Sequence, residues 1–132
     1  MRDCKQKFDN FVNAVERLQE GILKFNEKND LLRDGLIQRF EFTFELAWKT
    51  LKVIFEDEGL KGINSPKMVF KEAFLADLIE DEELWLRMLS DRNATSHIYS
   101  QDLAIKICNN IIKKYVIALE SLKKKIYDRR FA

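Results

Sequence analysis

From residue 31 to 58 the chain contains no proline and repeats its apolar side chains every three or four positions: Leu36, Ile37, Phe40, Phe44, Ala47, Trp48, Leu51, Ile54 and Phe55. That period belongs to a helix and not to a strand, and it predicts one long helix with a wide buried face. Glu41, Glu45, Lys49, Lys52 and Glu56 fall on the other side, with Glu45 ahead of Lys49 in the order that favours an i,i+4 pair. Phe42, Leu46 and Val53 lie outside the main stripe. A helix apolar on more than one side needs cover twice, from another helix of the same bundle or from a second subunit.

The flanking sequence repeats the pattern. Phe8, Phe11, Val12, Val15, Leu18, Ile22 and Phe25 predict a first helix over about residues 3–28, with Asn29 and Asp30 at the turn. Gly59 ends the second helix. Ser65 followed by Pro66 reads as an N-cap and a first helical residue, opening a short helix that carries Val69, Phe70, Ala73 and Phe74 inward and ends near Leu78. Asp81 caps a fourth helix that bears Trp85 and ends near Arg92, and Ser100 caps a last one that runs to about residue 127. Its inward face is Leu103, Ala104, Ile107, Cys108, Ile111, Tyr115, Ala118, Leu122 and Ile126. With one Pro and four Gly in 132 residues, the expectation is an all-α, antiparallel up-and-down helical bundle of four main helices plus one short helix. Residues 1–132 read as a single domain, large enough to bury a core without disulfides or metal.

Several function classes are disfavoured. No apolar run reaches the roughly 20 residues that cross a bilayer, and no signal-peptide pattern opens the chain, so a cytoplasmic protein without membrane contact is expected. Cys4 and Cys108 are too far apart for a metal knuckle or redox pair, and with a single histidine they leave no metal or cofactor site in view. With 23 basic and 22 acidic side chains the formal charge is +1, so any contact with RNA depends on a local patch. The basic tail Lys123 to Arg130 reads first as a solvated helix end whose cations suit the C-terminal dipole. Trp48, Trp85 and the phenylalanines read as core.

One short stretch carries chemistry. Arg92-Asn93-Ala94-Thr95-Ser96-His97-Ile98-Tyr99 holds the only histidine of the chain. Arg92 follows Trp85 by seven residues, so it closes an apolar stripe, and a guanidinium there must meet a carboxylate, a ligand or a water-filled cleft. Asp91 and Asp102 are candidate carboxylates. Asn93, Thr95 and Ser96 weaken a helix and favour a bend, which would let His97 and Tyr99 turn toward Arg92.

Phe40 to Lys49, Ser65-Pro66 through Phe74, and Asp91 through Tyr99 together resemble the nucleotidyltransferase substrate-binding proteins of the HEPN superfamily, close to the HepT toxins. The resemblance spans about residues 5–122 and implies an antiparallel bundle that forms a homodimer and assembles with a minimal nucleotidyltransferase encoded nearby. It also implies roles: Arg92 and His97 match the Arg and His of HEPN ribonucleases, Asn93 the polar residue after the Arg, and Tyr99 the tyrosine that receives AMP in the toxin pairs. Two readings follow. One is a metal-independent endoribonuclease toxin acting on RNA; the other is a non-enzymatic subunit that presents a substrate to the nucleotidyltransferase. A dimeric scaffold whose motif only holds the interface is the plainest alternative.

Overall fold

A computed structural model describes residues 2–95 and 100–132. Its elements are α1 (Arg2–Leu23), α2 (Asp30–Asp57), α3 (Pro66–Leu75), α4 (Glu82–Ala94), α5 (Gln101–Asn110), a π-helical turn (Ile111–Tyr115) and α6 (Val116–Arg130). No strand occurs among the described residues.

Cross-helix contacts fix the directions. The Thr43 and Thr50 hydroxyl oxygens, both fully buried, lie 3.2 and 3.3 Å from the carbonyls of Ala14 and Lys7, Thr43 sharing its proton with the nearer Arg39 carbonyl at 2.6 Å, so α1 and α2 run antiparallel. Threonine is short enough to let the two backbones approach while its hydroxyl is satisfied; a net hydrogen bond contributes about 1 kcal/mol. Asp91 meets Tyr115 and Glu80 meets Lys125, so α4 is antiparallel to the α5–α6 column. Phe40 stacks with Tyr115 at 5.4 Å and Arg130 reaches Asp57, so that column runs the same way as α2. Successive long helices therefore alternate up and down, as the helical periodicity predicts.

The caps explain where helices begin. Side chains of Asn29, Ser65, Asp81 and Ser100 accept from Leu32, Met68, Leu84 and Leu103 backbone N–H groups, each three residues on. Two helices end alike. Leu60 donates to Phe55 and Gly59 to Glu56 after α2, with Gly59 at φ +98; Leu78 donates to Ala73 and Asp77 to Phe74 after α3, with Asp77 at φ +60. Both are Schellman endings, and Asp tolerates the left-handed position that Gly prefers.

Boundaries differ from expectation in three places. α1 stops at Leu23 rather than near 28, because the Asn26 side chain accepts from Lys28 N at 3.0 Å and turns the chain, while the buried Arg33 donates to the Glu27 carbonyl. α3 stops at Leu75, and Phe74 is 42% exposed rather than core. The last column extends to Arg130 and contains the π turn, and Leu103 at its start is exposed.

The core is continuous across all the helices. Phe44, Phe70 and Trp85 pack with ring centroids 5.1 to 6.3 Å apart and fasten α3 and α4 onto α2. Trp48 lies half-buried at its margin. Cys4 and Cys108 are free and buried, and burial pushes the Cys108 thiol up to about 11. That thiol donates to the Arg33 carbonyl at 3.7 Å and stays protonated and inert.

Candidate functional site

The site grows from the last turn of α4. Trp85 is buried against Phe44 and Phe70, and two turns later the same face delivers Arg92 to the side of α2. There Arg92 Nη1 lies 3.9 Å from Glu41 Oε2, and Nε lies 3.6 Å from Glu45 Oε2. Both separations are too long for strong hydrogen bonds, and Arg92 Nε is buried without an acceptor among the described residues. Glu41 also accepts from the Thr95 hydroxyl, whose oxygen is 2.7 Å from the Arg92 carbonyl, and Glu45 lies 3.6 Å from Lys49 Nζ.

Asp91 points the other way. Its carboxylate accepts from Tyr115 Oη at 2.5 Å and from Asn110 Nδ2 at 3.3 Å. Burial first, and the Asp91 hydrogen bond and charge next, raise the Tyr115 phenol far above its ordinary value, so it remains a donor. Tyr115 is the last residue of the π turn, and Ile111, Tyr115 and Leu119, spaced four residues apart, all stay buried. The end of α4 is thus gripped on one flank by Tyr115 and Asn110, while Arg92 on the other flank is held loosely.

Arg92 lines an open cleft of about 640 Å³ between α1, α2 and α4, shared with Arg17, Arg39, Gln38, Gly35 and Phe42. Asn93 follows Arg92 on α4 and is exposed. His97 and Tyr99 lie outside the described residues. The suggested partners Asp91 and Asp102 do not pair with Arg92; Glu41 and Glu45 do. Their i,i+4 spacing on α2 was visible in the sequence, but spacing alone does not say which cation faces a pair of carboxylates. Phe42, on the second apolar side of α2, is 62% exposed on the cleft wall rather than part of the core.

No group of three or more His, Cys, Asp or Glu side chains placed to hold a metal occurs among the described residues. No described helix is long and apolar enough to cross a membrane.

An all-helical bundle that offers a guanidinium cleft at the end of its fourth helix has the HEPN-like architecture. The chain belongs to the family described as nucleotidyltransferase substrate binding protein like, which matches residues 6–128. Over 108 residues it is 29% identical to the probable ribonuclease HepT of Haemophilus influenzae, covering 71% of this chain and 74% of that one. A Thermus thermophilus protein of known structure is 36% identical, with a TM-score of 0.77 over 88% of this chain and 98% of the other. A Haemophilus influenzae structure, described as the fold of a substrate binding domain of a nucleotidyltransferase, is 26% identical with a TM-score of 0.75, covering 90% and 98%. A chain from a mutant toxin-antitoxin complex shares the fold at a TM-score of 0.81 and 17% identity, covering 97% and 99%.

Proposed function

We propose that this protein is a HepT-like partner subunit of a minimal nucleotidyltransferase and a metal-independent endoribonuclease, with Arg92 and His97 as its catalytic pair, Asn93 in support and Tyr99 as the acceptor of AMP. The observation that carries the reading is Arg92: its guanidinium borders an open cleft with a buried N–H that no described residue accepts, in a chain related to a probable ribonuclease.

The chemistry fits these residue types. Attack of a 2′-hydroxyl on its adjacent phosphorus forms one P–O bond and breaks the P–O bond to the 5′-oxygen. The hydroxyl proton passes to a base, and an acid returns a proton to the leaving oxygen. An imidazole near its ordinary value serves as base or acid at neutral pH, and a guanidinium clamps the charged phosphorane through two parallel N–H donors. One histidine cannot fill both roles at once, so a homodimer that joins two copies of the segment supplies the second. AMP transfer to Tyr99 forms a bond from the phenol oxygen to the α-phosphorus of ATP, expels pyrophosphate and releases the phenol proton. The added anion would then sit near Arg92 and occupy its cleft.

The test is RNA cleavage by purified protein in a chelator. His97→Ala and Arg92→Ala should each lower the rate by about 100-fold or more at an unchanged melting temperature. Persistent cleavage in both variants removes the site. Incubation with the neighbouring nucleotidyltransferase and ATP should add the mass of AMP to the wild type and not to Tyr99→Phe. The substrate-presenting alternative, favoured by the description of the 26%-identical structure, predicts no cleavage under any of these conditions.

A further inference from the structure

The cleft beside Arg92 has features that the bundle itself does not use. Arg17 and Arg39 line it, and neither has an ion-pair partner among the described residues. Arg39 is held in place, donating to the Arg17 carbonyl at 2.6 Å and lying against Gly21, where a Cβ would stand 3.2 Å from its Cδ. Phe42 presents most of its ring to the same space. Gly35 lies two helical turns before Phe42, and a Cβ built there would meet nothing within 4 Å. A glycine inside a helix is destabilising relative to alanine. No contact among the described residues explains it here; its effect is to leave the cleft floor bare.

We propose that this cleft binds an unpaired nucleotide of single-stranded RNA. The base lies on Phe42 above the bare backbone at Gly35, and flanking phosphates reach Arg17 and Arg39 on the way to Arg92. The inference rests on the ribonuclease reading and specifies the form of its substrate. A cleft of about 640 Å³ is in the size range of small-ligand sites. Gln38, one turn from both Gly35 and Phe42, brings an amide able to donate and accept at a base edge. Glu41 and Glu45 also border the cleft, but they face Arg92, Thr95 and Lys49 and leave Arg17 and Arg39 unopposed. Charge selects the occupant. An apolar helix would bury two guanidiniums without a counter-charge, whereas a phosphodiester backbone supplies one to each. A ring can stack on Phe42 only if the face of the base is free, which a duplex does not offer.

The test uses the full chain and a 2′-O-methyl RNA oligonucleotide, which cannot be cut, so that anisotropy reads binding apart from cleavage. Phe42→Ala should weaken binding roughly 5- to 100-fold, and Phe42→Tyr should preserve it. Gly35→Leu, which fills the floor with a good helix former, should weaken it comparably. Arg17→Gln and Arg39→Gln should each reduce the slope of log K against log salt by about 0.7. Wild-type affinity in Phe42→Ala and Gly35→Leu overturns the inference, as does equal competition by duplex RNA or displacement by AMP alone. Sedimentation is run alongside: a Phe42→Ala protein that loses both RNA and a subunit assigns the surface to a second copy instead. The two readings separate through His97→Ala. If that variant stops cleaving while Phe42→Ala cleaves and binds normally, the nucleotide site falls and the nuclease stands. If Phe42→Ala and Gly35→Leu lose the oligonucleotide while His97→Ala keeps it, and no form cleaves, the nuclease falls and the site stands.

Discussion

Two groupings of arginine and carboxylate lie along α2, and they are built differently. At its C-terminal end Arg129 holds Glu58 through Nε and Nη2 at 3.3 and 2.7 Å, and Arg130 reaches Asp57 at 2.7 Å and Glu58 at 3.1 Å. Hydrogen bonding to Arg130 keeps the Asp57 carboxyl below its ordinary value, and Arg129 does the same for Glu58. At the middle of α2, Arg92 faces Glu41 and Glu45 at 3.9 and 3.6 Å with one donor unmatched among the described residues. The same chemical groups thus form a closed clamp at one place and an open one at the other. A guanidinium whose donors are spent fastens helices; the phosphate clamp proposed for Arg92 needs one that is held more loosely.

The strongest way to break that contrast is to exchange each arginine for lysine. Lysine keeps the charge and loses the planar fork. Arg92→Lys should cut RNA cleavage by about 100-fold with the melting temperature nearly unchanged. Arg130→Lys should leave cleavage intact and lower the melting temperature slightly. Equal loss of cleavage in both variants would show that the two ends are not distinct in function.

A smaller effect sharpens the picture from the other flank of α4. Tyr115→Phe removes a buried donor to Asp91 and leaves that carboxylate with Asn110 alone, at a cost of about 1.5–3 kcal/mol. Urea unfolding should show a lower midpoint at an unchanged m-value. A midpoint equal to the wild type would mean that Asp91 does not anchor the helix end that carries Arg92.

Much of this architecture was legible in the sequence, since helical periodicity and caps are local properties. Ser65, Asp81 and Ser100 all cap where short polar side chains precede an apolar run, and the stripe of α2 does face the core. What failed was non-local. Nothing in the order of residues says that Arg129 and Arg130, read as a solvated end, reach across to Asp57 and Glu58. Nor does periodicity show that Phe42, on the second apolar side of α2, lines a cleft in company with Arg17 and Arg39. The site is legible in part: Arg92 could be singled out because a cation ending an apolar stripe demands a partner, but the partner is chosen by how α4 lies on α2.

The smallest effect is a pH dependence confined to the closed clamp. Because Glu58 titrates lower in the folded chain than its ordinary value, its contribution is fully present above that ordinary value and disappears as pH falls through the folded one. The group is largely solvated, so the contribution is about 1 kcal/mol at most and is screened by salt. The stability difference between wild type and Glu58→Gln should therefore be measurable at about pH 7 and low salt, and should shrink on acidification below about pH 4.5. It should also shrink in roughly 1 M salt at neutral pH. A difference that is the same at about pH 3 as at neutral pH would mean that Glu58 acts through packing rather than charge. The comparison between a spent and an available guanidinium would then rest on Arg92 alone.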